Sequence, residues 1–184
     1  MLPTFIAIIA IVAVIVLWVV STQRKLAALD QNSSNAMNQI GVQLSWRFDA
    51  LMALLDCTKS CAKDEIETLK EAIKSRRSAI TASSAPDDVL RQEVIISKVL
   101  GWIALVAEQY PKLQAEQAYV KAMGAAQAFE NMMRTSRLIY NDSVAKLNRE
   151  IRKFPVSMIA GTLGFRQREY LEEQTAKAVM PSSK

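Results

Sequence analysis

Sixteen consecutive residues, Phe5 to Val20, carry no polar side chain. With the four residues before them they approach the ~20 needed to cross a ~30 Å hydrocarbon layer. A secretory leader would open on Lys or Arg and close on a small-residue cleavage site; neither flanks this run. Residues 1–22 therefore read as a retained transmembrane signal anchor. Phe5, Ile9 and Val16 face lipid, Trp18 falls where an interfacial aromatic belongs, and Arg24 and Lys25 come just after. No basic side chain precedes the run, so the positive-inside rule places the N-terminus outside and the remaining chain in the cytoplasm, as a single-pass membrane protein.

No helix breaker separates the span from the next segment. Leu26, Leu29, Ser33, Met37, Ile40, Leu44, Phe48, Leu51 and Leu55 recur at steps of three or four, with Gln31, Asn32, Asn35, Asn38, Gln39 and Arg47 between them. That is one apolar stripe on a polar helix, so span and first bundle helix read as one rod with Gly41 as its weak point. A second stripe runs through Ile66, Leu69, Ile73 and Ile80. A Ser/Ala/Pro loop, 81–86, comes next, with Ser84 and Asp87 spaced as an N-cap arrangement. A third helix carries Leu90, Val94, Val99, Leu100, Ile103 and Val106 and stops before Pro111, since proline disfavours the helical conformation of Tyr110. The fourth keeps its rhythm through Ala122, Ala126, Phe129, Met133, Ser136, Tyr140, Val144, Leu147, Ile151 and Phe154 up to Pro155.

The fold class is all-α: a transmembrane helix continuing into an elongated, coiled-coil-like antiparallel four-helix bundle (residues 23–155), with a short C-terminal tail (156–184) partly packed on it. The middle helices are too short to accompany the outer two to the membrane. The near half would then hold two striped helices that cannot cover each other. The tail around Met158 to Phe165, a neighbouring copy, or both should pack there. Leu29, Met37, Leu147, Ile159 and Phe165 are the candidates for tail docking or self-association.

The chain has no histidine, which removes the side chain titrating nearest neutrality. It also lacks a nucleophile elbow, a phosphate-cradling glycine loop and a metalloprotease motif, so no catalytic residue, cofactor or small-molecule substrate is expected. Cys57 and Cys61, one helical turn apart with no further ligands nearby, read as free thiols and not a metal site. Tyr140 and Asn141 could form a functional polar site; the plainer reading makes Tyr140 a core aromatic and Asn141 a cap or exposed side chain. Met123, Met132, Met133 and Met158 read as gap-fillers of a core, or as an adaptable groove. The net charge of +5 is diffuse, which argues against nucleic acid. Helix four returns to the membrane, however, and would set Arg149, Arg152 and Lys153 beside Arg24 and Lys25, with Arg166 and Arg168 near. That arrangement is a basic collar facing lipid headgroups, or else a solvated rim.

Four motifs in order resemble the LemA family. They are Ile40-Gly-Val-Gln-Leu-Ser-Trp-Arg-Phe-Asp49; Glu108-Gln-Tyr-Pro-Lys-Leu113; Tyr140-Asn141 with Val144, Asn148, Ile151 and Phe154-Pro155; and Ile159-Ala-Gly161 with Gly164-Phe165. Met52 stands where that family usually has proline. The resemblance implies a single anchor, a helical-bundle domain and no established enzyme activity. The expected function is a membrane-anchored, non-enzymatic scaffold that forms a homo-oligomer in contact with membrane lipid. The alternative is an accessory or receptor-like subunit that recruits or regulates a membrane protease or signalling partner.

Overall fold

The computed structural model describes residues 2–59 and 63–171. Among these residues six helices occur in order: α1 (Leu2–Thr58), α2 (Lys63–Arg76), α3 (Pro86–Gln109), α4 (Pro111–Ala115), α5 (Gln117–Arg152) and α6 (Val156–Ile159). Helix is the only regular secondary structure among the described residues, with no strand among them. The 57 residues of α1 extend about 85 Å at the usual rise. From Phe5 to Leu17 its side chains touch almost nothing, while from Leu26 onward one face is fully buried. Length and apolar composition suit the first part for crossing a membrane.

α1 is the hub. It packs most extensively on α5, then on α3 and α2. The α1–α5 pair is antiparallel and keeps its register. Lys25 bonds Glu150, and twenty-one residues further along α1, twenty-one back along α5, Trp46 meets Phe129. Met37, Ile40, Leu44, Phe48, Leu51 and Leu55 interlock with Val89, Ile96 and Ile103 of α3 and Met133, Tyr140 and Val144 of α5. Ile66 and Ile73 bring α2 onto the same core.

Several boundaries differ from the sequence expectation. α2 stops at Arg76, and Ile80 lies beyond it in an extended segment. This segment crosses α1 at Gly41, where a Cβ would collide with the Ile80 carbonyl. Gly41 is therefore not a weak point but the gap through which the α2–α3 connection reaches the helix. Gln92 holds the same segment by donating to the Ser78 carbonyl at 2.7 Å and its hydroxyl at 2.6 Å. The cap of α3 is one residue later than expected. Ala85 is the N-cap, Pro86 opens the first turn, and the Asp88 carboxylate accepts from the Ala85 N–H. Ser84 instead accepts from Thr81 N–H within the loop. The return helix is split, because Glu116 is extended and separates α4 from α5. Buried Leu113 ties α4 to the core.

Two charged residues, Arg47 and Glu93, are buried in this core, and half-buried Arg137 joins them. Glu93 accepts from Arg47 Nη1 at 3.3 Å and pairs through its other oxygen with Arg137, joining α1, α3 and α5. Arg47, expected on the polar face, is only 7% exposed. Burial lowers the affinity of its guanidinium for a proton, and Glu130 opposes that shift. An ion group of this kind costs desolvation, and removing one member leaves the others uncompensated.

Gly41→Ala should destabilise the bundle by about 1–3 kcal/mol despite the better helix propensity of alanine, because the obstacle is backbone. Chemical denaturation would measure it; a stabilised variant would contradict the close approach. Glu93→Ala should cost about 3–5 kcal/mol by removing the carboxylate that pairs with buried Arg47. A cost within that of an ordinary surface substitution would show the ion group to be solvated.

Candidate functional site

The half of the α1–α5 pair nearest the N-terminal apolar segment is completed by the chain's own tail. After α5, Lys153 leaves the helical conformation, and the Phe154–Pro155 peptide is cis. α6 then places Val156 and Ala160 against Leu26, Leu147 and Ile151. Gly164 adopts φ 86°, a left-handed conformation that glycine takes without steric cost. Its N–H donates to the Gly161 carbonyl at 3.1 Å, and the Phe165 N–H to Ala160 at 2.9 Å. The chain is thereby reversed. Phe165 packs beside Leu29 on the small near-half core, and residues 165–171 run back along α5 in extended form.

Two asparagines hold this segment by matched geometry. Asn148 donates Nδ2–H to the Arg168 carbonyl at 2.8 Å, and its Oδ1 accepts from Arg168 N–H at 2.9 Å. Asn141 repeats the pattern on Leu171, at 3.1 and 2.8 Å. Seven helical residues span about 10.5 Å and three extended residues about 10 Å, so the two clamps fall in step. Between them the Tyr140 hydroxyl donates to the Glu169 carbonyl at 3.0 Å. Burial raises the pKa of that phenol, which keeps the donating proton in place. Arg168 reaches across to α1, donating from Nε to Asp30 and from its terminal nitrogen to Ser34, at 2.9 and 2.8 Å. Leu171 ends the segment inside the main core.

These contacts revise the sequence reading in particular places. Asn141 is neither a cap nor a free surface amide; it is a clamp. Met37 and Leu147 are fully buried within one protomer, and Leu29 and Phe165 are partly buried against the near-half core, so this set already has its cover. Ile159 is half-buried on α6. Met158, expected to help cover the near half, is instead 72% exposed. The tail residues that do the covering are Val156, Ala160, Phe165 and 168–171. Asparagine at the core rhythm was the signal for the clamp, since Asn148 falls four after Val144 and three before Ile151. The buried ion group carried the same mark, with Glu93 between Val89 and Ile96.

The basic residues gather at the same end. Glu150 accepts from Lys25 at 2.7 Å and from Lys153 at 2.9 Å, and these hydrogen bonds hold its carboxyl below the ordinary glutamate range. Arg152 donates to the Asn148 carbonyl at 3.3 Å. Arg24, Arg149, Arg152 and Arg166 are exposed. Along the apolar segment, Phe5, Ile9 and Val16 are exposed, and Trp18 is at the margin of the packed region. Cys57 is a free, half-buried thiol whose proton affinity is raised by burial and by Glu116 and Asp56, the opposite of an activated nucleophile. Cys61 lies outside the described residues.

Asn148→Ala should release the tail from its central clamp. We expect a loss of about 1–3 kcal/mol from the orphaned Arg168 backbone groups, with faster amide exchange confined to residues 165–171 and α6. Unchanged protection there would contradict the clamp.

The LemA family's sequence model matches residues 36–183, from the middle of α1 to the tail. Magnetosome protein MamQ 2 of Paramagnetospirillum magneticum is 35% identical over 77 residues, 42% of this chain and 28% of that protein. Magnetosome protein MamQ of Magnetospirillum gryphiswaldense is 32% identical over 77 residues, with the same shares. The match thus spans under a third of the length of these curated relatives. The family match instead takes in the ion group, the Gly41 crossing and both asparagine clamps, and by it the chain belongs to the LemA family.

Proposed function

We propose that this chain is a membrane-anchored, non-enzymatic scaffold. Its bundle is held at a fixed distance and angle from the bilayer and self-associates there. The observation that carries this reading is the continuity of α1. The bare apolar segment and the central helix of the bundle are one uninterrupted element, so no hinge lies between anchor and domain. A rigid joint is of little use to a diffusing catalyst, but it suits a protein that sets the spacing of others. The tail occupies the near-half stripe, so the surface for self-association lies elsewhere, along the outer α1–α5 seam. There Val42, Trp46, Met132 and Ile139 are exposed, and beyond Trp46 a shallow apolar groove of about 390 Å³ is floored by Ala50, Ala53, Ala122 and Ala125. Small residues of this kind let another helix approach closely.

A second reading, as an accessory subunit for another membrane-linked protein, draws on a different surface. Leu69, Ile73, Val94 and Ile95 line an apolar groove of about 540 Å³ between α2 and α3, flanked by Arg91 and Lys98. Its shape and charge would suit an amphipathic segment with acidic edges.

Light scattering coupled to size-exclusion chromatography, on the full chain in mild detergent, separates the two. The scaffold reading expects a discrete multiple of the 20.5 kDa protomer, reduced to protomer mass by Trp46→Glu combined with Ile139→Glu, with helicity unchanged. A protomer mass for the unaltered chain would refute self-association and favour the accessory reading.

A further inference from the structure

The α5–α6 turn carries two large apolar side chains with no protein cover. Phe154 is 81% exposed and Met158 is 72% exposed, although residues between and around them, Ile151, Val156 and Ala160, are buried. A helix-ending turn in water would normally present polar groups at such positions. Their height is set by the α1–α5 register. Lys25 faces Glu150, so α5 ends at Arg152 about level with Gln23, and Phe154 follows two residues later in the turn at that end of the bundle. The burial of Thr22 and the half-burial of Val19 mark where the packed region ends on α1, and from Trp18 towards the N-terminus the helix is bare. The base of the bundle therefore ends where the apolar segment begins.

We propose that this base rests in the membrane interface. Phe154 and Met158 insert among the upper acyl chains, and Arg149, Arg152 and Lys153 lie against anionic headgroups. The occupant is the bilayer that α1 enters, and the inference rests on the reading of Phe5–Val20 as a span. Three observations single out lipid over a protein partner: the level of the turn relative to the span, the pairing of two exposed apolar tips with a basic rim, and the continuity of that rim with Arg24 and Lys25 on α1 itself. The bundle then has two contacts with the bilayer, the span and the turn. Tilting about the emerging helix would pull Phe154 and Met158 into water on one side. Bulky apolar side chains beside basic ones are the composition of segments that lie in the interfacial zone.

The test places a polarity-sensitive fluorophore on single cysteines in the full chain, with Cys57 and Cys61 replaced by serine. Met158→Cys reports the turn, Leu17→Cys the span and Leu105→Cys the distant, exposed part of α3. The protein is reconstituted in vesicles of zwitterionic and anionic phospholipid with a nitroxide quencher high on the acyl chain. The proposal expects blue-shifted emission and strong nitroxide quenching at positions 17 and 158, and aqueous emission at 105. Replacing Phe154 by serine should return the 158 probe towards aqueous emission while leaving 17 unchanged. Quenching at 17 with aqueous emission at 158 would overturn the proposal and leave the anchor intact. Aqueous emission at both would overturn the span reading and the proposal together.

Discussion

The antiparallel packing of α5 on α1 is the constraint on which the rest depends. α1 alone has one buried stripe and no means of covering it. α5 supplies Met133, Tyr140, Val144, Leu147 and Ile151 along the same length, in a register held from Lys25–Glu150 to Trp46–Phe129. Each remaining element fills a gap that this pair leaves. α3 and α2 cover the distal half, and the tail covers the proximal half. Burying a Leu or Ile side chain contributes about 1.5–3 kcal/mol each, so neither half of the stripe could remain open in water without a large cost.

The two halves solve this problem differently. The distal half uses helices and places a buried Glu93 between Arg47 and Arg137, whose geometry ties three helices to one another. Such a group contributes less to stability than apolar packing would, but it disfavours any register in which the three charges fail to meet. The proximal half uses an extended segment, whose backbone polar groups must be satisfied one by one. Asn141 and Asn148 do this, each pairing with the N–H and carbonyl of one tail residue. A side-chain amide is suited to the task because it offers one donor and one acceptor side by side.

The stripes, the continuity of apolar segment and bundle, and the all-helical class were legible because each depends on local periodicity and composition alone. The motif residues were also visible as a pattern, but their roles were not. Gly41 looked like a helix defect, since propensity concerns one helix and the reason for the glycine lies in Ile80, thirty-nine residues away. Asn141 looked like surface, because its partner Leu171 belongs to a segment with no periodicity of its own. Ile80 continued the apolar rhythm of α2 and yet lies outside it, in the extended segment whose backbone passes over Gly41.

By itself the sequence determined the length and apolarity of the N-terminal segment, the number of long striped helices and the absence of histidine chemistry. These are properties of composition and of a 3.6-residue repeat, and they hold whatever the partners are. Only the tertiary structure decided which residues meet. It turned Glu93, Arg47 and Arg137 into one group, made the tail the third wall of the proximal half, and left Phe154 and Met158 bare at the end nearest the apolar segment. The reason is physical: contacts between residues far apart in the chain depend on register and on direction reversal. Those are set by a glycine at positive φ, a clamp spacing and a gap for one carbonyl, none of which leaves a repeat in the sequence.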